Sequence, residues 1–156
     1  MRKLILTTVA IFTGLLFVSA QEIADNAIGL RIGDDDGFGT EISYQRALGD
    51  NNRLEANLGW RSGDGFDGFK LTGLYQWVWA LDGNFNWYAG AGGGLGSFDV
   101  ENGDDDTFIF VAGDIGIEYN FDIPLLLSLD FRPELGFGDF RDDLGFDIAL
   151  GVRYQF

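Results

Sequence analysis

The chain has 156 residues and a formal net charge of −15 at pH 7, with no Cys and no His. The absence of Cys excludes disulfide and thiol chemistry, and the acidic balance argues against a nucleic-acid partner, whose phosphates would be repelled. Abundant Gly (24) and scarce Pro (2) favour long strands joined by turns over a disordered chain.

Residues 1–20 have the organisation of a secretory signal peptide. Arg2 and Lys3 precede an apolar run that extends to Val18, and two small residues follow it. The run is too short, and too closely followed by polar residues, to predict a transmembrane helix. We therefore expect Sec-type export, removal of this peptide, and one mature domain over 21–156.

The mature chain contains eight segments in which large apolar residues alternate with small or polar ones. Side chains alternate across a strand, so each segment predicts a β-strand with one apolar face. The last segment alternates without interruption up to Phe156 and is long enough to cross a bilayer when tilted. The segments are 26–33, 38–47, 53–61, 69–80, 85–96, 107–119, 125–136 and 144–156.

The charged residues test these faces independently. Thirteen of the fourteen charged residues in the segments fall on the parity opposite to the apolar set, and Arg46, next to a turn, is the exception. A cationic side chain on the lipid face costs about 2–4 kcal/mol at mid-membrane and little near the edge, so a membrane barrel requires this placement. The thirteen are Arg31, Glu41, Arg53, Glu55, Arg61, Lys70, Asp114, Glu118, Asp130, Arg132, Glu134, Asp147 and Arg153.

The apolar face is expected to point outward. It carries all four Trp, which are too large for the interior of an eight-stranded barrel, and aromatic residues gather near the strand ends as in a membrane-interface girdle. The predicted fold class is therefore all-β, an eight-stranded antiparallel up-and-down transmembrane β-barrel. The alternative is a soluble periplasmic barrel like a lipocalin, which would turn the apolar face toward a ligand.

Three local features carry expectations of their own. The Gly-rich stretch over 89–96 lies in a strand segment and is not followed by a helical pattern, so it does not predict a nucleotide-binding loop. Pro133 lies on the apolar face of the seventh segment and predicts a bulge or early fraying, because proline removes a ladder donor. Phe108 and Phe110 have the inward parity and are expected to cap the outer rim.

The predicted interior contains six positive and seven negative charges, which nearly balance. Burying an unpaired charge is costly, whereas a fully paired network can be held, and eight strands leave an interior that side chains fill. We therefore expect a structural plug of salt bridges. The alternative is a narrow path for ions or apolar compounds, with a lateral exit near Pro133.

Acidic residues concentrate in the connections after the first, third, fifth and seventh segments, which face outside if the N-terminus is periplasmic. The stretches 34–37 and 102–106 offer oxygen ligands for Ca²⁺, although their spacing does not match an EF-hand loop. The simpler interpretation is a hydrophilic outer surface that shares the divalent cations of lipopolysaccharide. No specific metal site and no cofactor is predicted. No catalytic residue is predicted either, because barrel enzymes use a His beside a Ser or Asp and this chain has no His.

With its alternating strands, polar lumen and terminal Phe156, the mature chain resembles the small OmpA/OmpX-like outer-membrane barrels, and especially the compact outer-membrane β-barrel proteins of Bacteroidota. The last strand, with Tyr154 and Phe156, resembles their insertion signal. The resemblance implies a Gram-negative outer membrane, lipid and lipopolysaccharide as surroundings, the barrel assembly machinery as a partner, and a structural or surface-interaction role. We expect a monomer. OmpA's additional peptidoglycan-binding domain has no counterpart here, so anchoring by that route is not expected.

Overall fold

A computed structural model describes the chain over five ranges. The predicted signal peptide and the acidic stretches 34–37 and 102–105 lie outside these ranges. The described residues are 23–33, 39–63, 66–100, 106–137 and 143–156, with side chains left out at 61–66 and 100.

The described residues form eight antiparallel strands that close into a barrel in the order of the chain. This confirms the predicted fold class. Among the described residues, no helix is long and apolar enough to cross a membrane. The strands are β1 (Asn26–Gly33), β2 (Thr40–Ala47), β3 (Asn52–Gly63), β4 (Phe66–Asp82), β5 (Phe85–Val100), β6 (Asp106–Asn120), β7 (Leu125–Phe137) and β8 (Leu144–Gln155).

The first and last strands close the barrel. β1 pairs with β8 from Ala27 opposite Gln155 to Gly33 opposite Ala149. Beyond this ladder, the backbone N–H of Asn26 donates to the carbonyl of Phe156 at 3.1 Å, and the N–H of Phe156 donates back at 2.9 Å. Closure leaves no strand edge along these ladders. An edge in lipid would be unfavourable, because each unpaired backbone group there costs about several kcal/mol of free energy.

The apolar face points outward and the charged face points inward, as the alternation predicted. Ile148 on β8 is 57% exposed and Leu30 on β1 is 45% exposed, whereas the neighbouring Asp147 and Arg31 are each 1% exposed. The soluble, lipocalin-like alternative is therefore wrong, because it requires the opposite orientation. The glycine-rich stretch over 89–96 lies within β5.

Several strands are longer than predicted on the side of the barrel away from the termini. β4 begins at Phe66 and β5 continues to Val100, so that Asp67 and Asp99 face each other in the ladder and do not lie in loops. Backbone pairing continues past the apolar alternation because Gly, Ser and Asp can carry a ladder where no lipid contact selects large residues. Only two residues separate β3 from β4, so the connection is shorter than the predicted segments implied.

Pro133 interrupts the wall without shifting its register. The β6–β7 ladder runs from Ile109 to Ala112 and resumes at Ile115 in the same register, so the pair facing Pro133 and the next pair are missing. The predicted bulge or fraying is therefore wrong. Proline lacks the N–H that would donate across the ladder, and the loss removes a bond without inserting a residue.

Candidate functional site in the barrel lumen

Arg31 is the first centre of the charged interior. Its Nη1 lies 3.1 Å from Glu41 Oε2 and 2.5 Å from Asp147 Oδ2, and its Nη2 lies 2.5 Å from Asp130 Oδ1. These acids come from β2, β8 and β7, so one guanidinium from β1 joins four strands. A planar guanidinium with five donors is suited to bridging several carboxylates at once.

Glu55 is the second centre, and it joins two further guanidiniums. Arg132 Nη2 lies 3.1 Å from Glu55 Oε1, and Arg153 Nη2 lies 3.2 Å from Glu55 Oε2. Arg132 Nη1 also lies 3.5 Å from Glu41 Oε2, which connects this centre to Arg31. Two serine hydroxyls accept hydrogen bonds from Arg153 at 2.9 and 2.8 Å. We call the seven connected charges the lumen network: Arg31, Glu41, Glu55, Asp130, Arg132, Asp147 and Arg153.

Two further ion pairs flank the lumen network. Arg53 Nη2 lies 2.8 Å from Glu118 Oε2, and Lys70 Nζ lies 2.7 Å from Glu134 Oε1. Each cation also lies against a ring, with Arg53 4.9 Å from the centroid of Tyr88 and Lys70 5.0 Å from that of Phe110. All four charged side chains are at most 4% exposed, so water does little to screen these interactions.

Asp114 differs from the other inward acids. Its Oδ2 accepts a hydrogen bond from the Gln76 amide, and its buried Oδ1 has no hydrogen-bond partner among the described residues. No cation of the described residues lies within ion-pair distance of it. The described interior therefore holds five cations and seven carboxylates. The side chain of Arg61, the remaining predicted member of the interior, lies outside the described residues.

Apolar side chains cover the charges at both ends of the lumen. Away from the termini, Leu74, Phe108 and Phe110 are buried together with Phe98 packed against them, and we call these four the outer cap. At the end that carries the termini, Ile23 forms one buried cluster with Val78 and Tyr88. This end is periplasmic in the orientation expected from the sequence, so we call these three residues the periplasmic floor. Phe108 and Phe110, which were expected to cap the outer rim, belong to this outer cap and are 1% and 3% exposed.

Inward glycines make the room that these side chains fill. A Cβ at Gly116 would collide with the ring of Tyr88, and a Cβ at Gly96 would collide with the ring of Phe108. The large side chain on one strand thus packs directly against the backbone of a glycine on the neighbouring strand. Among the described residues, a narrow and partly open cavity of about 10 Å³ lies next to Arg53, enough for one water molecule.

The prediction from the sequence missed the neutral polar partners and the periplasmic floor. Gln45 donates to Glu55 at 2.7 Å, and the Gln76 side chain accepts from Arg53 at 2.6 Å. These glutamines share the inward parity of the charges, and that parity was available as a signal. Ile23 precedes the first strand and carries no periodic signal, so its position could not be read from the sequence.

The exterior is a belt of apolar residues with aromatic pairs near the end that carries the termini. Trp79 and Trp87 stack at 4.4 Å, and Phe85 lies edge-on to Tyr119 at 4.7 Å. Such rings are typical of a membrane–water interface. Arg46, the one charge with outward parity in the predicted segments, is exposed at this end and donates to the side chain of Asn26 at 3.3 Å.

The described residues contain no group of three or more acids placed to hold a metal ion. Asp106, the last of the candidate calcium ligands, is the first residue of β6 rather than part of a loop. Tyr154 and Phe156 lie on the outward face of the terminal strand, 57% and 61% exposed. Their rings stack at 6.2 Å at the end of the barrel where the termini meet.

No protein-family model and no curated protein sequence matches this chain. Solved structures do match its fold. The N-terminal β-barrel domain of Pseudomonas aeruginosa OprF superimposes with a TM-score of 0.71 at 16% identity, covering 87% of this chain and 100% of that one. Neisserial surface protein A gives 0.60 at 16% identity, with coverage of 84% and 94%. Ail of Yersinia pestis gives 0.56 at 15% identity, with coverage of 84% and 96%.

These comparisons define the class of protein to which the fold belongs, the small eight-stranded outer-membrane β-barrels. The exterior of the chain agrees with the fold, because a continuous belt of exposed Leu, Ile, Val and aromatic residues is stable only against lipid. In fold and in exterior, the protein has the architecture of the small OmpA/OmpX-like outer-membrane β-barrels, as the resemblance implied.

Proposed function

We propose that the protein is a structural and surface-interacting outer-membrane barrel whose lumen is closed to ions. The observation that carries this proposal is the lumen network, which joins β1, β2, β3, β7 and β8 across the interior. The outer cap and the periplasmic floor cover it from both ends. No catalytic arrangement is proposed.

Electrostatics support a closed lumen. An ion that passed through would have to displace guanidiniums such as Arg31, which contacts three carboxylates, and Arg132, which contacts two. The displaced groups would lose buried ion pairs. Breaking a buried ion pair by removing one partner costs about 3–5 kcal/mol. A path that disturbs several such contacts at once therefore has a high barrier, and the network is better suited to holding the strands in register.

The outer rim suggests the chemistry of a surface partner. Described residues at this end include the exposed acids Asp67, Asp99 and Asp143. Ail has also been solved in complex with a heparin analogue, sucrose octasulfate. An acidic rim would repel such a polyanion, so we infer that this barrel interacts instead with cationic groups, or with the divalent cations that bridge lipopolysaccharide.

Export and insertion belong to the same proposal. We infer that residues 1–20 are removed on export and that the protein inserts as a monomer with the help of the barrel assembly machinery. The outward, exposed aromatic rings of Tyr154 and Phe156 support a role in that recognition, because they lie at an accessible barrel end.

Single-channel recording in planar bilayers tests the closed lumen. We expect no unitary conductance from the folded protein. We also expect none from Arg46→Met, a matched control that changes an exposed guanidinium outside the lumen. Reproducible conductance steps from the unmodified protein, absent from protein denatured before reconstitution, would contradict the proposal.

The incomplete pairing of Asp114 favours a second candidate, a narrow cation path. An inward carboxylate that has one oxygen unbonded, and no cation of the described residues within ion-pair distance, can attract a cation. In that case conductance would be cation-selective, and Asp114→Asn would abolish it while the barrel stays folded. Equal currents from Asp114→Asn and the unmodified protein would remove this candidate.

A further inference from the structure

The residues that precede β1 turn across the mouth of the barrel at its periplasmic end. In a closed barrel of eight strands in chain order, β5 lies opposite β1. Ile23 shares one buried cluster with Tyr88 on β5 and Val78 on the adjacent β4, so the chain turns from the β1 wall toward the opposite wall within three residues of the start of β1. Ile23 is 9% exposed at a position where solvent would otherwise reach the lumen.

Backbone hydrogen bonds hold this crossing in place. The carbonyl of Asp25 accepts from the N–H of Ala47 at 2.9 Å, at the end of β2. Asn26 exchanges two backbone hydrogen bonds with Phe156. The position of Ile23 is thus fixed from two neighbouring strands as well as by its own packing.

Two spaces meet at this crossing. On the lumen side lies the cavity of about 10 Å³, lined by buried Arg53 and Glu118 among others. On the side of Ile23 that faces solvent, at the end that carries the termini, lies an open depression of about 320 Å³. Ile23 and Ala24 line both spaces, together with Asn120 and Gln155. The wall between water outside and the Arg53–Glu118 pair inside is therefore only as thick as this short segment.

We propose that Ile23 is a stopper that covers the periplasmic mouth of the barrel and restricts the access of water to the Arg53–Glu118 pair. Its side chain supplies the apolar contact, and the backbone hydrogen bonds of Asp25 and Asn26 set its position. Opening requires only that Ile23 leave Val78 and Tyr88, with no change in the strands. This inference goes beyond the closed lumen proposed above, since the lumen network can block ions whether or not the mouth is sealed.

Thiol labelling tests the stopper, because the chain has no Cys of its own. Ala27→Cys places a single thiol at a position that is 3% exposed and lines the inner cavity. A small, charged methanethiosulfonate reagent is applied to the folded barrel in vesicles made permeable to it. We expect slow labelling of Ala27→Cys, and acceleration by about tenfold to a hundredfold when Ile23→Ala is added, as loss of one apolar side chain shifts an opening equilibrium.

Ile123→Ala is the matched control. It removes the same atoms from a side chain that is 61% exposed at the same end of the barrel, and it should leave the labelling rate of Ala27→Cys unchanged. Asp50→Cys in an exposed turn gives the rate of an open thiol. Labelling of Ala27→Cys as fast as Asp50→Cys, or a rate indifferent to Ile23→Ala, would overturn the stopper.

A second thiol keeps the test decisive if Ile23→Ala does not fold. Ile23→Cys in the otherwise unchanged barrel should label slowly, whereas Ile123→Cys should label at the open rate. Equal rates at these two positions would overturn the proposal. Bilayer recordings of Ile23→Ala separate the two proposals: faster labelling without conductance supports both the stopper and the closed network, and faster labelling with conductance supports the stopper alone.

Discussion

Arg132 carries two buried ion pairs on one side chain that is 0% exposed. It contacts Glu41 and Glu55, and both acids also have other cations within ion-pair distance. Removing a shared guanidinium therefore weakens two centres of the lumen network without leaving either acid entirely alone. The energetic effect of one residue here depends on the connections of its partners as well as on its own contacts.

The substitution Arg132→Met should lower the free energy of unfolding by about 3–5 kcal/mol, because it removes two buried ion pairs and leaves the charge of Glu41 and Glu55 only partly compensated. Urea unfolding of the barrel in detergent or lipid measures this. Arg46→Met makes the same chemical change at an exposed position and should alter stability by less than about 0.5 kcal/mol. Similar losses in the two variants would show that the interior guanidinium has no special role. Adding Glu55→Gln to Arg132→Met should restore part of the loss.

At the scale of the strand, the β6–β7 ladder shows the effect of losing one backbone N–H donor, at Pro133. Pro133 faces outward and lies close to Gly113, whose added Cβ would come within 3.3 Å of the proline ring. The two missing pairs lie at this point, and the ladder is regular above and below it. The strand keeps its register because β7 is also paired with β8 through Pro133 itself.

The substitution Pro133→Val should raise the free energy of unfolding by about 1 kcal/mol, since it restores one ladder donor and introduces a β-branched residue suited to a strand. Urea midpoints at unchanged slope would report this. Pro124→Val, in the exposed turn before β7, is the matched control and should have little effect. A destabilised Pro133→Val barrel would mean that the wall depends on the proline ring itself rather than merely tolerating it.

At the scale of the whole molecule, a chain with a net charge of −15 is stable in lipid because its charges are sorted. Inward positions carry the interior charges, the outer rim carries exposed acids, and the belt between them is apolar. A soluble protein would not tolerate so much exposed apolar area, and a membrane protein would not tolerate charge on this belt.

The substitution Ile148→Arg tests the lipid contact directly. Ile148 is 57% exposed on the belt, so the change would be nearly neutral in a soluble barrel. In a bilayer it should cost about 2–4 kcal/mol. Thr107→Arg, outward at the far end of β6 and above the belt, should cost at most about 1 kcal/mol near the interface. Unfolding in vesicles measures both variants, and equal costs would contradict the membrane position of the belt.

The alternation of residues was enough to predict the number of strands, the face of each strand and the closed barrel. The period of two fixes which side chains share a face, and the charges repeat the same parity independently. The ends of the strands were less predictable. Asp67 and Asp99 were expected in loops because they lie outside the apolar alternation of 69–80 and 85–96, but the ladder extends through them once it leaves the lipid belt.

The sequence by itself determined that acids and guanidiniums such as Glu55 and Arg132 face one interior, because parity is a local property of a strand. Only the tertiary structure decided that Arg31 joins β1 to Asp130 on β7, that Asp114 keeps an unbonded oxygen, and that Ile23 crosses to Tyr88. These contacts connect residues far apart in the chain, and they depend on barrel closure and on the stagger between strands. Neither is encoded in the period of any single segment, so the pairing of the charges follows from the closed fold.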